Sequence, residues 1–204
     1  MKRDEGKRFF LNSYHPLCET RKGKNIVAEL GLPPYIDASI RREPDFECKY
    51  PSISGLCRLD KLVGRTRVGD IIAYITVKRA GVRKLVAILE VIKKFLSHAD
   101  AAAWYMKEVG SLPSNCMVSG NKPKPSSMAV SNTPCRTHVQ WDQEYQLRAD
   151  QCGTFLACRT ELMDLHNPPD VPEDIFSRPF PITRTPSYIS ESELNRLRNM
   201  LSAR

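Results

Sequence analysis

The sequence predicts an α+β fold, and three stretches carry that prediction. Ile71 to Val77 is rich in β-branched and aromatic residues and reads as a strand. Leu85 to Ile92 is a second apolar run. Only the basic, glycine-containing stretch Lys78-Arg79-Ala80-Gly81-Val82-Arg83-Lys84 separates the two, so they read as an antiparallel hairpin. The period then changes at Ser97-His98-Ala99-Asp100, a capping box that opens an alanine-rich helix. Strand, strand and helix are the expected centre of a single domain spanning residues 1–204.

The other elements follow in chain order. Arg8 to Tyr14 is a first strand with an aromatic start and a polar finish, Asn12-Ser13-Tyr14, and His15-Pro16 stops it because proline cannot extend a ladder. Asn25 to Leu30 fits one or two helical turns, with Asn25 as N-cap and Gly31 beyond the end. Residues 32–58 carry prolines at 33, 34, 44 and 51, which deny the stretch a long helix or a central strand. It also carries Tyr35, Ile36, Ile40, Phe46, Tyr50, Ile53 and Leu56, too much apolar surface for a disordered linker. A long covering loop over 32–66 is expected, either functional or a mere cover.

On the helix from Ser97, Ala102, Tyr105, Met106 and Val109 share a stripe, and Trp104 points away from it, expected to be covered by another segment. Residues 111–134 read as a loop with a mobile middle, Ser119 to Ser127. Asp142 to Gln151 reads as a helix closed by Gly153, and Thr154 to Thr160 as a late strand. Prolines between 168 and 186 impose coil. Ser190 and Glu193 then form a capping box, with Ile189 and Leu194 as its hydrophobic staple and Leu194, Leu197 and Leu201 on the inner face.

Composition narrows the function classes. The longest apolar run, Leu85 to Ile92, is short and contains Glu90, so no membrane span is expected. The start, Met1-Lys2-Arg3-Asp4-Glu5, does not resemble a signal peptide, and a cytoplasmic location with seven reduced cysteines is expected. The net charge of +8 is concentrated: from Arg58 to Lys94 ten Lys and Arg stand against Asp60, Asp70 and Glu90, leaving +7. Such a belt is the footprint of a polyanion binder, in which each phosphate contact releases counterions, or a solvated basic face. On the first reading Lys78, Arg79, Arg83 and Lys84 contact phosphate.

Motifs for chemistry are sparse. Gly64 and Gly69 have P-loop spacing, but Asp70 stands where lysine is required and a strand follows. Cys135 with His138, and Cys152 and Cys158 with His166, could supply soft ligands, but the second set matches no standard zinc spacing and Cys158 sits in a predicted buried strand; no metal and no cofactor are expected. No local signature selects a nucleophile, and Glu90 to Lys93 has one spacer too many for a nuclease carboxylate–lysine pair, so no catalytic residue is assigned.

Val68-Gly69-Asp70-Ile71-Ile72-Ala73-Tyr74, a basic loop, then Leu85-Val86-Ala87-Ile88-Leu89-Glu90-Val91 resembles the middle of the PUA-like superfamily, which includes the EVE, ASCH and YTH domains. Arg41-Arg42-Glu43-Pro44-Asp45 through Ser54-Gly55-Leu56-Cys57-Arg58 is similar to the preceding loop of nucleotide modification-associated domains of bacteria and phages. The resemblance implies a small mixed β-barrel with peripheral helices. It also implies a module that binds an extruded, modified base, with DNA expected ahead of RNA and modification or restriction proteins as partners. No tryptophan cage of the family aligns, since Trp104 and Trp141 lie on predicted helices.

In such a barrel the ligand is expected between the end of the first strand (Asn12, Ser13, Tyr14) and the covering loop. The loop would supply Arg41, Arg42, Ser54 and Arg58 as donors, and Tyr35 and Tyr74 would stack on the base. The plainer alternative has Arg41 and Arg42 pairing with Glu43, Asp45 or Glu47 and only pinning the loop. An enzyme acting on nucleotides or nucleic acid through the same pocket is the second function class, and an interaction module with an incidental basic belt the third. An aromatic cleft without a carboxylate pair fits a reader; clustered Asp and Glu, or a Cys–His contact, fit an enzyme.

Overall fold

A computed structural model of the chain describes residues 6–57, 61–130, 137–176 and 186–202. Its elements are β1 (Phe9–Tyr14), α1 (Arg21–Leu30), β2 (Ser52–Ser54), β3 (Ile71–Thr76), β4 (Leu85–Phe95), α2 (His98–Glu108), α3 (His138–Gln151), β5 (Phe155–Met163), β6 (Ser187–Ile189) and α4 (Glu191–Ser202). The six strands form one mixed sheet in the order β2-β5-β4-β3-β1-β6. The expected hairpin, β3 and β4, is its middle. The expected barrel is not formed: β2 and β6 lie at opposite edges, so the sheet stays open.

One pairing sets the architecture. β1 runs parallel to β3, with Asn12 beside Tyr74 and Tyr14 beside Thr76, whereas all other pairs are antiparallel. Parallel neighbours need a crossover connection. The proline-rich stretch after α1 is that connection. Its centre is packed, with residues 36–46 an unbroken buried run, and it holds the short strand β2 that the prolines hid from the sequence reading.

Alternation along the strands divides the core. Leu11, Ile71, Ala73 and Ile75 face α4, where Ile189, Leu194 and Leu197 meet Val171, Ile175 and Phe176. Phe10, Tyr14, Ile72 and Tyr74 face the crossover, against Phe46, Ile53, Leu62 and Val63. Asp70 fixes the parallel start. Its carboxylate accepts from the Arg8 backbone N–H at 3.2 Å, from Arg8 Nη2 at 2.6 Å and from the Arg67 N–H at 2.7 Å, while Gly69 turns the chain at φ 91°.

Helix ends follow local chemistry. The Ser190–Glu193 capping box is present, with the Ser190 N–H donating to Glu193 at 2.7 Å and the Glu193 N–H donating to Ser190 Oγ at 3.2 Å. Ser97 caps α2, accepting from the Asp100 N–H at 3.0 Å. Two starts move upstream of their expected positions. α1 begins after Thr20, whose Oγ1 accepts from the Gly23 N–H at 3.0 Å, and α3 after Thr137, which forms a capping box with Gln140. Gly23 is required there: a Cβ would lie 1.7 Å from the Leu17 carbonyl oxygen. The inner stripe of α2 is also rotated, with His98, Ala101 and Tyr105 buried and Met106 52% exposed. Trp104 packs among Tyr50, Phe95 and Tyr105 at centroid distances of 5.0 to 5.8 Å. Among the described residues no helix is long and apolar enough to cross a membrane.

Candidate functional site

A cleft of about 220 Å³ opens at the carboxyl ends of β1 and β3, where the crossover folds back over the parallel pair. Ligands in sheets with parallel strands commonly sit outside the carboxyl ends. β1 contributes Asn12, Ser13 and Tyr14, followed by His15, and β3 contributes Tyr74. The crossover contributes Asp37, Glu43, Ile53, Ser54, Cys57 and Leu62. Asn12 reaches this side because Phe10, Asn12 and Tyr14 alternate onto the crossover face.

Tyr14 and Tyr74 give the lining an aromatic wall, Ile53 and Leu62 an aliphatic part, and Asn12, Ser13, Asp37, Glu43 and Ser54 its polar groups. Tyr14, Phe46 and Tyr74 form a three-ring cluster with centroids 5.4 to 6.1 Å apart and near-perpendicular planes. Tyr14 and Tyr74 are only 3% and 1% exposed, so their faces are consumed by packing and do not form an open stacking platform. The Tyr14 hydroxyl donates to the Tyr35 carbonyl at 2.5 Å. Tyr35 itself lines a neighbouring pocket with Cys18, Lys24 and Arg79. Burial, with the nearby Cys18, pushes the Tyr35 phenol up to about 12.

Two carboxyl groups line the cleft that the sequence reading did not single out. Asp37 Oδ1 accepts from the Ser39 N–H at 2.9 Å and from Ser39 Oγ. Glu43 accepts from the Ser54 N–H at 2.8 Å, from the Ser54 hydroxyl, and from Asn115 Nδ2 at 3.3 Å. Neither carboxyl has an ion-pair partner within 4 Å among the described residues. Burial raises both above the usual carboxylate range, Glu43 the more strongly, with the Asp37 charge adding to its shift. Asp37 carried a sequence signal: an Asp two residues before a serine is an Asx-turn pattern, here made by the Ser39 N–H.

Five of the nine expected base-binding residues therefore meet here: Asn12, Ser13, Tyr14, Ser54 and Tyr74. Arg41 and Arg42 do not line the cleft. Arg41 donates to Asp142 Oδ1 at 2.6 Å and to the Ser114 and Asn121 carbonyls, and Arg42 to Glu47 at 2.8 Å and to the Asp37, Ser39 and Met128 carbonyls. With Arg42 0% exposed, both are internal clamps that lock the crossover to α3 and to residues 114–128. The loop expected to be mobile is tied into the same set, since the Lys124 N–H donates to the Ile40 carbonyl at 2.9 Å. Arg58 lies outside the described residues.

The basic hairpin is charge-compensated. Lys78 pairs with Glu173 at 2.6 Å, Arg83 with Glu173 at 3.5 Å, Lys84 with Asp170 at 2.5 Å, and Arg79 with Glu19. Four cations thus meet three acids from distant parts of the chain, and the local excess seen in sequence shrinks to about one charge there. Lys61, Arg65 and Arg67 are instead exposed on the loop that brings Leu62 to the cleft.

The groups considered for zinc do not converge. Cys152 and Cys158 are buried thiols, Cys135 lies outside the described residues, and no group of three or more His, Cys, Asp or Glu side chains among the described residues is placed to hold a metal. Comparison with protein-family models, with curated proteins and with solved structures gave no match. Fold and site together define an α+β protein with an open mixed sheet and a polar, carboxyl-bearing cleft at its one parallel step.

Proposed function

We propose that the protein is a cytoplasmic, PUA-like nucleic-acid-binding module that takes a modified base or nucleotide into the cleft at the ends of β1 and β3, in a DNA-modification or restriction setting. DNA is the expected polymer ahead of RNA. One observation supports the reading most: Asn12, Ser13, Tyr14, Ser54 and Tyr74, from three separate elements, line one concave site. Few polar groups against an apolar wall is the usual make-up of a small-ligand site. Extrusion of a base costs a few kcal/mol, which hydrogen bonds to its edge can offset. Because the tyrosine rings are packed, recognition falls to the polar groups. Phosphate contacts fall to Lys61, Arg65 and Arg67, exposed on the loop that carries Leu62, as well as to the hairpin.

The test compares binding of a paired duplex with duplexes that carry one extrahelical or modified base, using the wild type and Asn12→Leu. Preference for the extrahelical base, lost in Asn12→Leu, is the expected result. Equal binding of all duplexes by both proteins would contradict it.

A second reading, an enzyme acting on nucleotides or nucleic acid in the same cleft, is favoured by the Asp37–Glu43 pair, since buried carboxyls of raised pKa can act as general acids. His15 also lines the cleft, but its Nδ1 is engaged by Glu19 at 2.6 Å. Product formation abolished by Glu43→Gln, with binding retained, would establish this reading.

A further inference from the structure

A second surface, away from the cleft, combines aromatic rings with lysines. It lies where the end of β4, the helix α2 and the turn before β2 meet, over a core of Ala101, Tyr105, Cys116, Phe155 and Ala157. Tyr50, Phe95 and Trp104 pack against that core and stay only partly buried. Trp104 tilts against Tyr50 at a centroid distance of 5.3 Å and against Phe95 at 5.8 Å. Lys49 Nζ lies over the Tyr50 ring, 5.4 Å from its centroid, and Lys93 Nζ over a Trp104 ring at 5.7 Å. Alternation along β4 sends Lys93 to this face, whereas the Lys94 ammonium donates to the Gly64 and Thr66 carbonyls at 3.1 and 2.9 Å.

Two contrasts give this patch its meaning. Tyr14 and Tyr74 in the cleft are 3% and 1% exposed, whereas Tyr50 and Trp104 keep exposed area and have a ring face roofed by a lysine head. An exposed ammonium at that distance is held weakly and gives up the face readily. The hairpin cations are matched by Glu19, Asp170 and Glu173, whereas Lys49 and Lys93 form no ion pair among the described residues. The rings themselves are fixed. The Tyr105 hydroxyl donates to the Tyr50 carbonyl at 2.8 Å, and the Cys158 N–H donates to the Pro51 carbonyl at 2.8 Å. On α2, Asp100 and Glu108 stand one turn to either side of Trp104, with Lys107 beside Glu108, so attraction for an anion comes from Lys49 and Lys93 and not from the helix.

We propose that this patch is a stacking platform for single-stranded nucleic acid. Unstacked bases lie on the faces of Trp104 and Tyr50, and Lys93 and Lys49 swing from the rings to the adjoining phosphates. Every base has a π face, so such a platform tolerates any sequence, and rings with a nearby cation serve a strand's bases and backbone together. Bases already stacked inside a duplex present no free face to it. An acidic peptide would pair with the lysines and leave the ring faces uncovered. The platform uses residues that the cleft does not, and it stands whether or not the cleft takes a base.

The experiment uses the full chain with Trp141→Phe, which leaves Trp104 as the sole tryptophan. The probe is a labelled oligothymidylate, followed by its anisotropy and by tryptophan emission. Binding should be saturable and should quench Trp104, a paired duplex should leave the emission unchanged, and Trp104→Leu should weaken strand binding about tenfold. Trp104 also packs on the core, so a second variant keeps the test independent of folding. Lys49→Ala with Lys93→Ala, both on the surface, should lower the log–log salt slope by about 0.7 for each lysine lost. Asn12→Leu in the cleft should leave the quenching intact. No binding of the strand, binding without quenching, or an unchanged slope in the lysine variant would overturn the platform. Displacement of the strand by polyglutamate at equal charge would overturn it in favour of an acidic peptide, and loss of quenching in Asn12→Leu would overturn its separation from the cleft.

Discussion

The cleft and the basic hairpin are the two regions in which charge is arranged with most consequence, and they are arranged in opposite ways. The hairpin is exposed, strongly basic in sequence and neutralised in space by Glu19, Asp170 and Glu173. The cleft is buried, unremarked by charge counting, and holds Asp37 and Glu43 with no ion-pair partner within 4 Å among the described residues. Surface pairs of the first kind contribute little to stability, and their charges are already spoken for. Buried groups of the second kind persist only where the surrounding structure holds them. The contrast teaches that a patch in sequence is not a patch in space, and that polar burial marks this site better than net charge does.

The largest expected effect tests whether the crossover is clamped. Arg42→Ala removes a fully buried guanidinium, strands three carbonyls and leaves Glu47 to Lys124 alone, so denaturant unfolding should show a loss of about 3–5 kcal/mol. A loss near that of a surface substitution would mean that the crossover is held by something else.

A pH series sharpens the comparison next. Asp37 and Glu43 have folded pKa values raised above their unfolded ones. Their contribution to stability is therefore full below the unfolded values, 3.8 and 4.5, and is lost as pH rises through the folded values. Glu43→Gln should flatten the decline on the alkaline side, whereas Glu173→Gln on the hairpin should not. An unchanged profile in Glu43→Gln would show that the cleft acid is not held in its neutral form.

Salt dependence separates the Lys61–Arg67 loop from the hairpin. If Lys61, Arg65 and Arg67 contact phosphate, replacing all three with alanine should lower the log–log salt slope of duplex binding by about 0.9 per lost contact. Replacing Lys78, Arg79, Arg83 and Lys84 should change it less, because those cations leave internal partners behind. The reverse order would restore the hairpin as the main phosphate contact.

The smallest effect lies at the hairpin tip. The Arg79 and Val82 backbones exchange hydrogen bonds at 2.9 Å around Ala80 (φ 47°) and Gly81 (φ 84°), and alanine is disfavoured in that left-handed conformation. Ala80→Gly should stabilise by about 1 kcal/mol, offset in part by the chain entropy of glycine, without altering binding.

Much of this frame was legible because local pattern and final structure agree. Ile71 to Thr76 alternates between two buried faces, Ser190 and Glu193 cap their helix, and the polar Asn12-Ser13-Tyr14 end of β1 marks one wall of the cleft. What was not legible depends on the parallel β1–β3 step. Asp37 and Glu43 read as ordinary loop acids until the crossover is folded over the strands. The plainer alternative for Arg42, pairing with Glu47 and pinning the loop, is the one the fold adopts, whereas nothing local shows that Asp142 and five backbone carbonyls complete the two clamps. The start of α1 was missed because Arg21-Lys22-Gly23-Lys24 has no apolar period and its cap, Thr20, lacks a reciprocal Glu or Gln.

Amide chemical-shift mapping by NMR, with a duplex that carries cytosine opposite an abasic site, tests most directly whether the cleft is the recognition site. The largest shifts should fall on Asn12, Ser13, Ser39 and Ser54, with smaller ones at Lys61, Arg65 and Arg67. Shifts confined to residues 78–84, with the cleft amides unmoved, would contradict the account.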